Sequence, residues 1–276
     1  MKFFKNIFKS DLFPIFIALG LLLLFSQTVY PAYYAKRNMI FVKSDYLTVS
    51  RDFSTLTLKL QTLSESPHIA EIQSLIDMLT GINNKVLSNT EFVKKVNFDD
   101  LEEKSRLINL YSSIENFSNT LIKKFKYTYF ISEVKDANAV LVEIYSKSDN
   151  YDFIAESTLL YSSKINTLKS DIIQKPLFKD DREFSTFANA YVETLQKYFT
   201  ELYAITKSIP SYIDQNDRDK TRELLSSINE LSAKYESEEK NYQDVLALMS
   251  YDEDRSLQDK LIDIQEKINA ISIDTL

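Results

Sequence analysis

Two glycines, Gly20 and Gly81, in a chain of 276 residues leave almost nothing from which to build tight hairpins, bulged strands or phosphate-cradling loops. Only five prolines interrupt the rest, so long helices are the structure such a chain forms with least strain. Hydrophobic residues make up 44% of the sequence, enough to build a core in one or two domains and too many for a chain disordered throughout. The expected class is all-α: an N-terminal transmembrane helix followed by an elongated helical bundle or coiled-coil region outside the cytoplasm.

The first residues alternate Lys2, Lys5 and Lys9 with phenylalanines, and the chain then reads LFPIFIALGLLLLF from Leu12 to Phe25 without a charge. Leu12, Phe13, Ile15, Phe16, Leu21, Leu22, Leu23, Leu24 and Phe25 supply the apolar surface of an expected anchor. Helix over this run alone is too short for a hydrocarbon layer of roughly 30 Å, but the uncharged stretch continues, and Tyr30, Tyr33 and Tyr34 suit the headgroup level. Pro14 in the first turn and Pro31 near the far interface are both tolerable there. The alternative is a cleaved signal peptide, which shows the same basic start and apolar run. Its cleavage site fits poorly, because cutting after Ala32 or Ala35 places Tyr30 or Tyr33 where a small residue is wanted. Lys36, Arg37 and Lys43 after the segment nearly balance the lysines before it, and the short first tail points to a cytoplasmic N-terminus with the C-terminus outside.

Beyond the anchor, apolar residues recur three and four apart. Ile40 to Leu63 continues away from the membrane, and Ser66–Pro67 opens a helix carrying Ile69, Ile72, Leu75 and Leu79. Ser88 with Glu91, and then Asn97 with Asp99 and Asp100, are further start signals, the second before Leu107, Tyr111, Ile114, Phe117, Leu121 and Phe125. A separate helix is expected through Phe130, Val134 and Leu141, another over Tyr151 to Gln174, and one from Asp180 or Asp181 to a loop marked by Pro210. Leu224 to Met249 and Leu257 to Ile271 keep a four-three rhythm, separated by a hairpin or a stutter at Ser250. The expected division is a tail over 1–11, an anchor over 12–34, a helical bundle over 35–213 and a C-terminal helical hairpin or coiled coil over 214–276.

Leu257, Leu261, Ile264, Ile268 and Ile271 form the candidate interaction seam, apolar and flanked by Asp259, Lys260, Asp263, Glu266 and Lys267. The plainer alternative is that this face is buried inside the monomer as an ordinary bundle edge.

Several chemistries have no residues to work with. No cysteine is present, which removes disulfides, thiolate ligands and a cysteine nucleophile. The single histidine, His68, stands in the first turn of a helix, where a cap-proximal surface role is expected. Asp214–Asp219 resembles the start of a calcium loop but has Asp219 where glycine is needed and Leu225 where a glutamate is needed, so it reads as a loop with an Asn216 or Asp217 cap. Neither a cofactor nor a metal site is expected, and the aromatic residues fall on core faces. The formal charge of −7 is unsuited to nucleic acid. Lysines outnumber arginines by 26 to 7, a bias typical of an AT-rich and hence bacterial genome.

Together these readings predict a non-catalytic, single-pass protein of the cell membrane, acting outside the cytoplasm as an interaction or scaffold module with a protein partner or with itself. The second reading is a helical sensor that binds a small ligand and signals through a separate membrane partner.

Overall fold

A computed structural model describes residues 13–63, 67–98, 100–145, 150–175, 178, 181–249 and 255–272. Eight α-helices cover most of them, with no strand among the described residues: α1 Phe13–Leu24, α2 Tyr30–Gln61, α3 Ile69–Lys95, α4 Leu101–Tyr145, α5 Tyr151–Gln174, α6 Arg182–Asp214, α7 Arg218–Met249 and α8 Arg255–Ala270. The expected anchor residue Leu12, the Ser66 cap and the Ser250 turn lie outside the described residues.

Between α1 and α2 the backbone passes through a π-helical turn, Phe25–Val29, closed by the Tyr30 N–H donating to the Phe25 carbonyl. Hydroxyls help satisfy the carbonyls around it, Ser26 Oγ donating to Leu23 O at 2.9 Å and Thr28 Oγ1 to Leu24 O at 2.6 Å. No helix among the described residues is long and apolar enough to cross a membrane. Twelve residues of α1 extend about 18 Å, and α2 becomes charged from Lys36 onward.

Three expected boundaries are absent. Ser88 and Glu91 sit inside α3, because Ile82, Val86 and Val93 extend one buried face straight past them. The two helices expected to meet between Phe125 and Phe130 are one helix, α4, which contains neither glycine nor proline. Pro210 marks no loop either and lies inside α6. Its missing N–H leaves the Thr206 carbonyl without its helical donor, a defect tolerated where Ile209 and Leu202 are buried.

Helix ends follow the capping chemistry. Asp100 accepts from the N–H groups of Glu102 and Glu103, Asn150 from Phe153, and Asp181 from Phe184. The α6–α7 turn shows how a chain poor in glycine reverses direction. Asn216 takes the left-handed conformation at φ 53°, its N–H donates to Ile213 O, and the Asp217 N–H donates to Tyr212 O, both at 2.9 Å. Asp217 then caps α7 through the Lys220 N–H at 3.0 Å. The acid-rich segment once comparable to a calcium loop is therefore a stop signal followed by a start signal.

The described residues fall into two compact units, with α3 and α4 divided between them. The first draws on Met1–Gln61, Gly81–Ser118 and Ser256–Leu276. Its core joins Val42, Val49 and Phe53 of α2 to Val86 of α3, Ile114 and Phe117 of α4, and Ile264 of α8. The Phe53 and Phe117 rings meet edge-on at 5.8 Å. The second draws on Thr62–Thr80 and Asn119–Arg255. Phe178 stacks on Phe184 at 4.7 Å, and Phe184 meets Tyr127 and Phe130 edge-on. Burying each such side chain contributes roughly 1.5–3 kcal/mol.

These units do not follow the boundary expected at 213/214. α7 belongs to the second unit and α8 to the first, so the two segments of the expected C-terminal hairpin are placed in different cores.

Candidate functional site

The five seam residues are the first place to look, and the chain itself covers them. Leu257, Ile264, Ile268 and Ile271 are all buried and Leu261 is half-buried. Polar contacts fix the same helix in the first unit. Tyr46 Oη donates to the Ile268 carbonyl at 2.7 Å, Lys267 Nζ donates to Ser113 Oγ at 3.0 Å, and Glu103 Oε1 accepts from the Ser272 N–H at 3.2 Å. The Ile268 carbonyl is in the last turn of α8, where it also accepts from the Ile271 N–H at 3.3 Å, so the Tyr46 hydroxyl is its second donor. Glu103, 3% exposed, gives a buried carboxylate to the N–H of Ser272, the first described residue past the bend that follows α8. Burial, followed by the charge of Glu103, pushes the Tyr46 phenol above its ordinary value, so this hydroxyl remains a donor.

Sequence reasoning missed Glu103 and the hydroxyl of Tyr46. Glu103 looks like one of two acids favourable in the first turn of α4, and Tyr46 like one more apolar position on α2. Their shared role depends on residues more than 150 positions away, and no spacing rule encodes that.

Also in the first unit, Tyr111 is fully buried and its hydroxyl completes no hydrogen bond of normal geometry. Burial chiefly, and then the charge of Asp45, pushes its phenol well above the ordinary range, while the nearby Asn89 side chain favours ionisation slightly. Such a group holds its proton and serves neither as base nor as nucleophile near neutrality.

The second unit holds a larger polar group between α6 and α7. Tyr191 Oη donates to Glu239 Oε1 at 3.1 Å, Gln243 Nε2 donates to the same carboxylate at 3.1 Å, and Tyr198 stacks on Tyr235 with ring centroids 4.2 Å apart. Burial is the main force raising the phenols of Tyr161, Tyr191 and Tyr235, and Glu239 adds to it at each. The adjoining cleft, lined by Thr194, Tyr198, Leu231 and Tyr235, encloses about 20 Å³, room for one water. A wider hollow of about 440 Å³ beside Tyr212, Ile213, Arg218 and Leu225 is open to solvent at the α6–α7 turn.

His68 is exposed and precedes α3, its backbone N–H donating to Glu71 Oε2 at 3.0 Å. It fills the cap position itself, with Glu71 reaching back as in a capping box. Among the described residues no three acidic or histidine side chains are grouped to hold a metal ion.

The residues expected to form an anchor are placed elsewhere. Phe13, Ile15, Phe16 and Leu21 to Leu24 are on α1, Phe25 opens the π turn, and Tyr30, Tyr33 and Tyr34 are in the first turns of α2. Leu21, Leu22, Leu23, Leu24, Phe25 and Tyr33 are each more than half exposed. The Tyr30 and Tyr34 rings are 4.3 Å apart, and those of Tyr33 and Tyr34 6.1 Å.

Comparison with protein-family profiles, with curated proteins and with solved structures finds no match in any of the three.

Proposed function

We propose that this chain is a single-pass membrane protein whose helical region outside the cytoplasm is a non-catalytic interaction or scaffold module of the cell envelope. The observation that carries the membrane half is the continuous helical path from Phe13 to Ala35, uncharged along its length, with Leu19 and Leu21 to Phe25 exposed around it. At about 1.5 Å per residue this path is about 35 Å long, sufficient for a hydrocarbon layer of roughly 30 Å. The π turn accounts for the absence of one uninterrupted α-helix of that length, and its hydroxyl-to-carbonyl bonds are of the kind that keep an irregular helical turn viable in lipid.

The interaction half rests on α7. Only Leu246 of its 32 residues is buried, while Leu225, Val245 and Leu248 are exposed and most of its outer face is charged or polar. Such a helix has surface to offer a protein partner or a second copy. With the Leu257–Ile271 face occupied inside the chain, α7 replaces α8 as the element we assign to docking.

Reporter fusions test the topology. A reporter active only outside the cytoplasm, joined after Leu276, is expected to be active in cells. Activity of a cytoplasmic reporter at the same position, with the first one silent at normal abundance, reverses the orientation.

A further inference from the structure

No acidic residue occurs between Asp11 and Asp45, a stretch that holds Lys36, Arg37 and Lys43. Lys36 and Arg37 are exposed and Lys43 half-exposed, and among the described residues none of the three has an ion-pair partner. Other cations of the chain, such as Lys85, Lys126 and Lys267, meet carboxylates, whereas this stretch has no carboxylate to offer.

Arg37 is placed with aromatic and aliphatic side chains on the side of α2 away from the core, and Lys36 and Lys43 flank them. Val42, Tyr46, Val49 and Phe53 turn to the core, and the helical spacing puts Tyr33, Arg37, Ile40, Phe41 and Leu47 on the other side, all exposed. The Arg37 guanidinium lies over the Phe41 ring at 5.5 Å, an arrangement that leaves its N–H fork open. Lys43 is two helical turns, about 10 Å, beyond Lys36, and a headgroup layer is roughly 5–8 Å deep. A lysine stem is long enough to reach back over the difference. Tyrosines next to apolar helix, followed at once by unpaired cations, match the order of acyl boundary, interface and phosphate layer.

We propose that Lys36, Arg37 and Lys43 dock on anionic phospholipid headgroups, placing the turns of α2 that carry Ile40 and Phe41 within the headgroup layer. This rests on the membrane reading above. The phosphates replace the carboxylates this part of the chain lacks, and the exposed aromatic and aliphatic groups gain the interface as their cover.

The chain has no cysteine, so Ser44→Cys supplies a unique thiol on this face for a polarity-sensitive dye. Ser44 uses only its backbone carbonyl in its contact with Thr48, which the substitution keeps. The full chain is reconstituted in vesicles of phosphatidylcholine alone and in vesicles where a third of the lipid is phosphatidylglycerol. The expected result is a blue-shifted emission in the anionic vesicles, weakened by high salt and abolished by combining Lys36→Gln, Arg37→Gln and Lys43→Gln. Equal emission in the two lipids overturns the proposal, as does a shift that survives in the triple variant. A dye shielded in native membranes but not in anionic vesicles overturns it as well, by showing that protein covers the face. Failure of the anchor reading looks different, since the chain then floats with neither kind of vesicle.

Discussion

The hydroxyl of Tyr46 donates to the carbonyl of Ile268 at 2.7 Å, joining residues 222 positions apart. Tyr46 belongs to the helix that follows the apolar segment, and Ile268 to the last turn of the C-terminal helix. The bond adds a second donor to a helix-end carbonyl that otherwise has only the Ile271 N–H at 3.3 Å, and fixes the register in which Ile264 and Ile268 enter the core of the first unit.

Tyr46→Phe removes the shorter of the two bonds to that carbonyl and leaves it only the Ile271 N–H at 3.3 Å. The expected loss is about 1–2 kcal/mol, seen as a lower urea midpoint for the chain in mild detergent with helicity unchanged before the transition. An unaltered midpoint contradicts the assignment.

Replacing Ile264 and Ile268 together by Asp puts two carboxylates into sites that are 1% and 5% exposed. Unfolding of the first unit is expected, with a loss of at least about 3 kcal/mol. Circular dichroism and sedimentation of the same sample check it: loss of association with full helicity retained shows that α8 serves an intermolecular seam and contradicts the burial described above.

Pro210→Ala restores the N–H that the Thr206 carbonyl lacks. A gain of about 1–3 kcal/mol is expected from a proline-to-alanine exchange within a helix, read as a higher unfolding midpoint. A loss means that the proline is set by something other than helix geometry.

Alkaline pH tests the buried tyrosines. Burial is the largest cause raising the phenols of Tyr111, Tyr161, Tyr191 and Tyr235, and it pushes Tyr127 up to about 12. In the unfolded chain these groups ionise near their ordinary value of about 10. The stabilisation is therefore fully present below about pH 10 and is lost as pH rises through and above it, by up to about 1.4 kcal/mol per pH unit for each tyrosine still protonated only in the folded state. Midpoints that are level to about pH 9 and fall beyond it, together with delayed phenolate absorbance in the folded chain, are the expected outcome. Ionisation of all tyrosines at their ordinary value with no loss of structure contradicts it.

Local chemistry was legible in the sequence wherever it acts over a few residues. The bounds Tyr151–Gln174, the Asp181 and Asp217 caps and the apolar face of α8 all follow from three- and four-residue spacing and from capping preferences. Boundaries read from single residues failed. Ser88 and Pro210 carry real local preferences, and the continuing buried faces of α3 and α6 override them. What α8 packs on was not legible at all. Periodicity shows that Leu257 to Ile271 form an apolar face, but many such faces exist in this chain. The choice of α2 and α4 over the adjoining α7 depends on Tyr46, Glu103 and Ser113 meeting Ile268, Ser272 and Lys267. The candidate site shares that limit, since the exposure of Leu21 to Phe25 is a property of the fold.

On the proposed function, the path from Phe13 to Ala35 holds this protein in a bilayer. The direct measurement is alkaline carbonate extraction of membranes from cells making the full chain, compared with a variant carrying Leu21→Arg, Leu22→Arg and Leu24→Arg. The chain is predicted to stay in the membrane pellet through the wash, and the variant to be released, because each arginine near a helix centre raises the insertion free energy by roughly 2.5–3.5 kcal/mol. Release of the unmodified chain into the wash, at normal abundance and full length, contradicts the account.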